Sequence, residues 1–141
     1  MTPTDIALVR AGFSRLAPDA ERIGLAFYER MFALDISLRT LFPEDMRPQA
    51  GHLMAALAMV VDSLDNLAPV LAKVKALGRR HASYGVEPGD LATGGVALLD
   101  TLAAELGAAF TAEARAAWSA AYGTLADAMV AAMCEATPMA A

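Results

Sequence analysis

One of the two histidines in the chain, His81, has the position of a side chain that could bind a metal cofactor. Counted from Leu71, the residues Val74, Leu77 and His81 follow at three, six and ten positions, which predicts one shared face of a helix. Gly85 is expected to stop that helix. A neutral imidazole that faces an apolar interior can act as the single axial ligand of a metal cofactor. The alternative is a core histidine whose ring nitrogens bond to backbone groups.

The helix that carries His81 is one of about six long helices that we predict, together with one short helix. No stretch has the sustained alternation of a strand, and no Asn-Gly hairpin turn is present. The predicted boundaries lie at Thr2 and Pro3, Pro18, Pro43, Pro48, Asp65 and Asn66, Gly85, Pro88, Gly107 and Thr111. Asp65 and Asn66 are expected to cap the helix of His81, and the short helix covers about Ile36 to Leu41. The irregular spacing predicts an all-α domain whose helices pack in pairs and can leave an apolar slot.

The composition fits a single domain over residues 1–141, with 137–141 as a frayed tail. Apolar residues make up 57% and the mean hydropathy is +0.42, yet no apolar run approaches the ~18 residues of a membrane span. No signal-peptide pattern is visible, and the lone Cys134 has no partner nearby in sequence. A net charge of −5 without a run of basic residues argues against nucleic acid as a partner. We therefore expect a cytoplasmic protein that does not bind membranes.

Five segments occur in the order of a known family. They are residues 24–32 (GLAFYERMF), 41–43 (LFP), 65–67 (DNL), 77–86 (LGRRHASYGV) and 110–113 (FTAE), the last followed by Trp118 and Tyr122. The chain resembles the single-domain bacterial globins, and specifically the branch related to the globin domain of flavohaemoglobins. The segment around His81 is the most specific of the five. The resemblance implies a globin fold around one b-type haem, held non-covalently because no Cys-x-x-Cys-His motif is present.

The resemblance also assigns the groups nearest the iron. His81 matches the proximal iron ligand, and Phe42 matches the phenylalanine that stacks on the haem plane. Tyr28 matches the distal tyrosine whose hydroxyl can donate to a bound gas. Gln49 matches the distal glutamine of this branch, and Leu53 matches the apolar residue above the iron. The alternative for Tyr28 and Phe42 is a place in the ordinary core.

Further residues are expected to contact the cofactor at its edge. Tyr84 and Val86 fall where the family packs the haem edge, and Val74 and Leu77 share the face of the proximal histidine. Arg80 is the candidate partner for a haem propionate, because guanidinium binds carboxylates well. Its neighbour Arg79 is a second candidate, and for both the alternative is a solvated surface.

The second histidine leaves two registers open for the distal side. Gln49, His52 and Leu53 lie close enough on one helix to approach the same slot. His52 precedes His81 by 29 residues, which is the separation between the distal and proximal histidines of vertebrate-type globins. Phe42 precedes Gln49 by only seven residues, which is typical of the bacterial branch. We favour Gln49 as the distal residue, and the rival places His52 in the pocket or on the iron.

One departure from the family bears on activity. Flavohaemoglobins hold the proximal histidine with a tyrosine and a glutamate from the last two helices, and an anionic histidine favours oxygen activation. Here the fifth helix opens with residues 90–93 (DLAT), without a tyrosine, and Glu135 lies about half a turn from the expected place. We therefore predict reversible binding of oxygen, nitric oxide and carbon monoxide. The alternatives are a nitric oxide dioxygenase or peroxidase with a separate reductase, and a haem-free or gas-sensing interaction module.

Overall fold

Six α-helices and three short 3-10 helices form the fold over residues 1–136, the part of the chain that the computed structural model describes. The α-helices are α1 (Pro3–Leu16), α2 (Ala20–Leu34), α3 (Arg47–Asp62), α4 (Ala68–Ser83), α5 (Pro88–Leu106) and α6 (Ala112–Ala136). The 3-10 helices are Ala17–Asp19, Ile36–Leu41 and Gly107–Ala109. The predicted all-α class is confirmed, with three short helices where one was expected. The predicted frayed tail lies outside the described residues.

Most of the predicted helix ends are present. Thr2 and Asp5 form a reciprocal capping box at the start of α1, and the Thr111 hydroxyl accepts from the backbone of Ala114 at the start of α6. Gly107 ends α5 with φ at +55°, which only glycine adopts readily.

The predicted cap of α4 is wrong. Leu67 is the N-cap residue of α4, and its side chain makes no capping hydrogen bond. The Asp65 carboxylate instead accepts from Arg10 of α1 at 3.2 Å. The backbone of Asn66 donates to the Ser63 carbonyl in a tight turn. Both candidate capping residues thus belong to the preceding turn, and α4 begins one residue later with a proline in its first turn.

Two close helix crossings set the positions of the side chains expected near the haem. A Cβ added at Gly24 would lie 2.7 Å from the Cβ of Ala50, so α2 and α3 approach almost backbone to backbone. A Cβ added at Gly78 would lie 2.7 Å from the carbonyl oxygen of Met129, and this is the contact of α4 with α6. Tyr28 lies one turn after Gly24 and Gln49 is adjacent to Ala50, so the first crossing positions both side chains. His81 lies three residues after Gly78, so the second crossing positions it.

Helix α5 contributes to the core, and it bears on the expectation that no segment is apolar enough to span a membrane. By length and composition, Pro88–Ala109 could cross a membrane, with a mean hydropathy of 1.3 in its best window. In the fold, α5 packs against α2 and α6, and its inward residues are buried. They are Gly94, Ala97, Leu98, Thr101, Leu102 and Leu106. Only 28% of that window is buried, so burial of this face accounts for part of its apolar composition.

Candidate functional site

The proximal side is formed by His81 near the end of α4. Its Nδ1 lies 2.7 Å from the carbonyl oxygen of Leu77, one turn earlier in the same helix. A carbonyl can only accept a hydrogen bond, so Nδ1 carries a proton, and in the neutral imidazole Nε2 then has the free lone pair. The side chain is half-buried, and no residue in the described range 1–136 bonds to Nε2. The backbone bond therefore fixes the ring in the tautomer that a metal ligand requires.

The distal side is formed by Tyr28 of α2 and Gln49 of α3. Tyr28 is only 6% exposed, and Gln49 donates from Nε2 to its hydroxyl oxygen at 3.1 Å. Burial raises the pKa of Tyr28, and the hydrogen bond from Gln49 opposes that rise only in part. The hydroxyl therefore keeps its proton at neutral pH. Since its oxygen accepts from Gln49, the proton remains available for a third group.

Aromatic rings connect this donor pair to the turn before α3. The Phe42 ring centroid lies 5.3 Å from that of Tyr28 and 5.4 Å from that of Phe32. Leu41, in the same turn, approaches the end of α4, where a Cβ added at Gly85 would lie 3.6 Å from Leu41 Cδ2. The turn thus joins the distal cluster to the end of the helix that carries His81.

Arg39 holds this turn in place, and its position in the sequence alone did not predict that role. Its guanidinium donates to the carbonyl oxygens of Phe42, Pro43 and Glu44 at 3.3, 2.8 and 3.0 Å. The same group lies 5.3 Å from the ring centre of Phe32. Carbonyl groups at the end of a helix need hydrogen-bond donors. A basic residue in the last turn of the short helix is the sequence feature that could have indicated this role for Arg39.

Replacing Arg39 by methionine keeps the aliphatic stem and removes all three donors. Hydrogen bonds to charged groups contribute about 1.5–3 kcal/mol each, but these carbonyls are partly solvated, so we expect the free energy of unfolding to fall by about 1–3 kcal/mol in total. Urea unfolding of wild type and Arg39→Met measures this loss. Arg15→Met is the matched control, because Arg15 is exposed on α1, and it should change stability by less than about 0.5 kcal/mol. Equal effects in the two variants would contradict the role of Arg39.

The remaining predicted site residues differ in how far their side chains are buried. Leu53 and Leu77 are half-buried, as is Val86, and Val74 is fully buried. Tyr84 is 67% exposed, so it covers little of the interior. Among the histidines, the structure places His81 inward and leaves His52 exposed on α3, while Gln49 reaches Tyr28. The roles of all these residues toward a haem stay predictions.

The structure separates the two neighbouring arginines. Arg79 lies 3.9 Å from Glu135 of α6, where both side chains are largely exposed. Arg80 is exposed and has no ion pair within residues 1–136. Glu135 is therefore directed toward the surface and not toward His81. Within residues 1–136, Glu135 makes no ion pair or hydrogen bond with His81.

Tyr122 of α6 is hydrogen-bonded to the first turn of α5. Its hydroxyl donates to the carbonyl of Leu91 at 2.5 Å, and burial raises the pKa of Tyr122 to about 12. Cβ atoms added at Gly94 and Gly95 would lie 3.1 and 2.8 Å from this side chain. The adjacent glycines thus allow the backbone of α5 to approach the Tyr122 ring closely.

The donor set fits a haem. Within residues 1–136, no group of three or more His, Cys, Asp or Glu side chains is arranged to hold a metal ion, so His81 would be a single protein ligand. A haem brings nitrogen ligands of its own, so a single histidine would suffice to hold its iron. The tautomer of His81 leaves Nε2 suited to that position, and the half-buried apolar residues near it suit a flat apolar ring.

Comparison with known proteins decides the family. The model of the Globin family matches residues 25–129. The chain belongs to the globin family. This globin is 34% identical over 134 residues to the flavohemoprotein of Bordetella pertussis. The matched region is 92% of this chain and 33% of that protein. The flavohemoprotein of Deinococcus radiodurans is 33% identical over 133 residues, with 92% and 33% covered. The chain thus spans about a third of the length of these flavohemoproteins.

Two further likenesses extend the comparison beyond flavohemoproteins. Hemoglobin subunit zeta of Pan troglodytes is 33% identical over 127 residues, covering 84% of this globin and 87% of that subunit. A solved bacterial globin from Campylobacter jejuni superposes with a TM-score of 0.83 at 20% identity, covering 95% and 97% of the two chains. At that identity the likeness shows the fold alone, and it confirms the predicted globin fold. Family membership implies that this globin binds haem.

Proposed function

We propose that this globin binds one b-type haem non-covalently through Nε2 of His81 and binds dioxygen reversibly, with nitric oxide and carbon monoxide as further ligands. The observation that carries the proposal is the 2.7 Å contact of His81 Nδ1 with the Leu77 carbonyl oxygen. A carbonyl partner fixes the tautomer without adding negative charge to the ring. The histidine is therefore a neutral ligand, which suits reversible gas binding better than activation of oxygen.

The pocket residues divide the remaining tasks. When bound, the haem supplies an iron to which a diatomic gas can bind. Phe42, Leu53 and Leu77 would provide apolar contacts to the ring, and Arg80 would pair with a propionate. Tyr28 would donate its hydroxyl proton to the gas, since Gln49 already occupies one acceptor site on its oxygen. A donor in a dry pocket slows the escape of a polar ligand such as dioxygen.

An absorption spectrum of the purified protein, expressed with a haem supply, tests the proposal directly. We expect a Soret band in the ferric and ferrous states and a shifted band with carbon monoxide. Absence of a Soret band would instead favour a haem-free interaction module. Sustained consumption of nitric oxide with a physiological reductant would favour the dioxygenase.

Because Gln49 and not His52 is assigned to the distal side, we expect different effects from replacing these two residues of α3. His52→Ala should leave the ferric and ferrous spectra unchanged, because His52 is exposed. Gln49→Ala should change the kinetics of gas binding, because it removes the donor to Tyr28. Spectra and flash photolysis of both variants measure the two effects. Loss of a six-coordinate, low-spin spectrum in His52→Ala would reverse the assignment and make His52 the sixth ligand.

A further inference from the structure

Helix α5 has an apolar side that the fold leaves uncovered. Four residues, Ala92, Val96, Leu99 and Ala103, follow one another at i, i+4, i+7 and i+11, so they share one side of the helix, and we call them the α5 strip. Ala92 is exposed and Val96 is 49% exposed, while Leu99 and Ala103 are half-buried. Asp100, next to the strip, is the only exposed charged residue of α5.

The spacing of the α5 strip fits a second helix packed along it. Alternating steps of four and three residues form the seam along which two helices pack side by side. The two larger side chains are in the middle of the strip and the two alanines are at its ends, so a second helix could approach closely along its whole length. In this chain α5 packs against α2 and α6, and neither helix covers the strip.

Two charges of opposite sign near the strip have no partner within residues 1–136. Arg30 of α2 is half-buried, and its Nε is buried without a hydrogen bond. Arg30 follows Ile23 by seven residues and Phe27 by three, and both of these line one cavity with Leu98 of α5, so Arg30 lies on the side of α2 that faces α5. Asp100 forms no ion pair or hydrogen bond in this part of the chain. A partly buried cation without an acceptor is unfavourable, which points to an acceptor on another molecule.

We propose that the α5 strip is the contact surface of a homodimer, in which two copies of α5 pack antiparallel about a two-fold axis. In this arrangement Val96 of one copy faces Leu99 of the other, and Ala92 faces Ala103. The same axis brings Asp100 of each copy toward Arg30 of the other. A two-fold interface makes every such pair twice, so one unpaired anion and one unpaired cation satisfy each other completely. This self-complementary charge favours a second copy over a different protein.

The size of the strip predicts a weak and reversible dimer. A helix of 19 residues is about 28 Å long, and one side of it is about 10 Å wide, which gives roughly 300 Å² for each copy. A stable dimer of standard size buries about 800 Å² on each partner. Apolar patches of a few hundred Å² on a monomer nevertheless often mark an interaction site. We therefore expect a dissociation constant on the order of 0.1 mM.

Sedimentation equilibrium of the purified globin between about 10 µM and 1 mM tests the proposal. We expect the average mass of the wild type to rise with concentration from the 14.7 kDa of one chain toward twice that value. Val96→Glu should raise the dissociation constant at least about tenfold, because it places two carboxylates in the middle of an apolar contact. Since Val96 is half exposed, this variant should fold, and circular dichroism checks that it does.

Ile36→Glu is the matched control for Val96→Glu. Ile36 is 74% exposed, and it lies in the short helix after α2, outside the strip. Its replacement makes the same change in charge and in apolar surface, and it should change the dissociation constant by less than about twofold. A wild type that stays monomeric at about 1 mM, or equal weakening by Ile36→Glu and Val96→Glu, would overturn the proposal.

Exchanging the two charges tests the two-fold arrangement itself. Asp100→Arg should raise the dissociation constant at least about tenfold, because it sets two cations against each other at two symmetric places. Arg30→Glu/Asp100→Arg should restore the constant to within about threefold of the wild type. Asp127→Arg changes the net charge equally at an exposed site on α6 and should have little effect. A folded double variant without recovery would refute the pairing of Arg30 with Asp100.

Vesicles separate the homodimer from a membrane contact. The probe is a mixture of phosphatidylglycerol and phosphatidylcholine, and we expect the wild type and Val96→Glu to sediment without the vesicles. If the wild type binds these vesicles, loses that binding in Val96→Glu and stays monomeric in solution, the strip is a membrane contact and the proposal is wrong.

Discussion

Replacing His81 by alanine is expected to remove the protein ligand of the haem and to accelerate haem loss by about 100-fold or more. Groups that only orient a metal ligand already contribute about 10- to 100-fold in affinity, so the ligand itself should contribute at least the upper value. The apolar contacts from Leu77 and Phe42 would remain, and they would retain haem only weakly. Transfer of haem to an excess of an apoglobin acceptor, followed in the Soret region, measures the rate.

Two controls make the His81 experiment specific. His52→Ala changes the other histidine, which is exposed on α3, and should lose haem at the wild-type rate. His81→Gly leaves space for free imidazole, which should restore the ferrous spectrum in a concentration-dependent way. An unchanged ferrous spectrum in His81→Ala would place the iron ligand elsewhere. Failure of imidazole to restore the spectrum of a folded His81→Gly would indicate that the ring has a structural role only.

The helices could be predicted because each depends on residues close together in the chain. The apolar spacing around Val74 and Leu77 predicts α4, and Pro43 and Gly85 end their segments through their own backbone preferences. The capping of α1 by Thr2 is equally local. The error at Asp65 has a different cause. Its carboxylate had two possible donors, and the guanidinium of Arg10, distant in sequence, was the one that bonded to it.

The sequence nominated Tyr28, Gln49 and His81 for the candidate site, but it did not predict the contacts that these residues make. Tyr28 and Gln49 are 21 residues apart, and the crossing at Gly24 that brings them together depends on two helices at once. The three carbonyl bonds of Arg39 require the path of the turn after the short helix, which sequence spacing does not fix. The sequence allowed His52 and Gln49 to approach the same slot. The observed rotation of α3 points Gln49 to Tyr28 and His52 to solvent.

Replacing Tyr28 by phenylalanine is expected to raise the dioxygen dissociation rate by roughly ten- to a hundredfold and to change the carbon monoxide rate little. The substitution removes one hydroxyl and keeps the ring in contact with Phe27 and Phe42. Bound dioxygen is strongly polarised, and hydrogen bonds to charged acceptors contribute about 1.5–3 kcal/mol. Each ~1.4 kcal/mol is a factor of ten in rate. Carbon monoxide is a poorer acceptor, so it gains little from the donor.

Gln49 decides where in that range the effect of Tyr28→Phe falls. In the wild type its amide donates to Tyr28, and in Tyr28→Phe that amide loses its acceptor and can turn to the gas. Tyr28→Phe alone should therefore raise the dioxygen dissociation rate by about tenfold, and Tyr28→Phe/Gln49→Leu by about a hundredfold.

Tyr84→Phe is the matched control, since its hydroxyl is removed from a ring that is 67% exposed, and it should change neither dissociation rate. Stopped-flow dissociation of both gases measures all four proteins. Equal changes for the two gases in Tyr28→Phe, or none, would make Tyr28 a core residue and place the distal donor elsewhere.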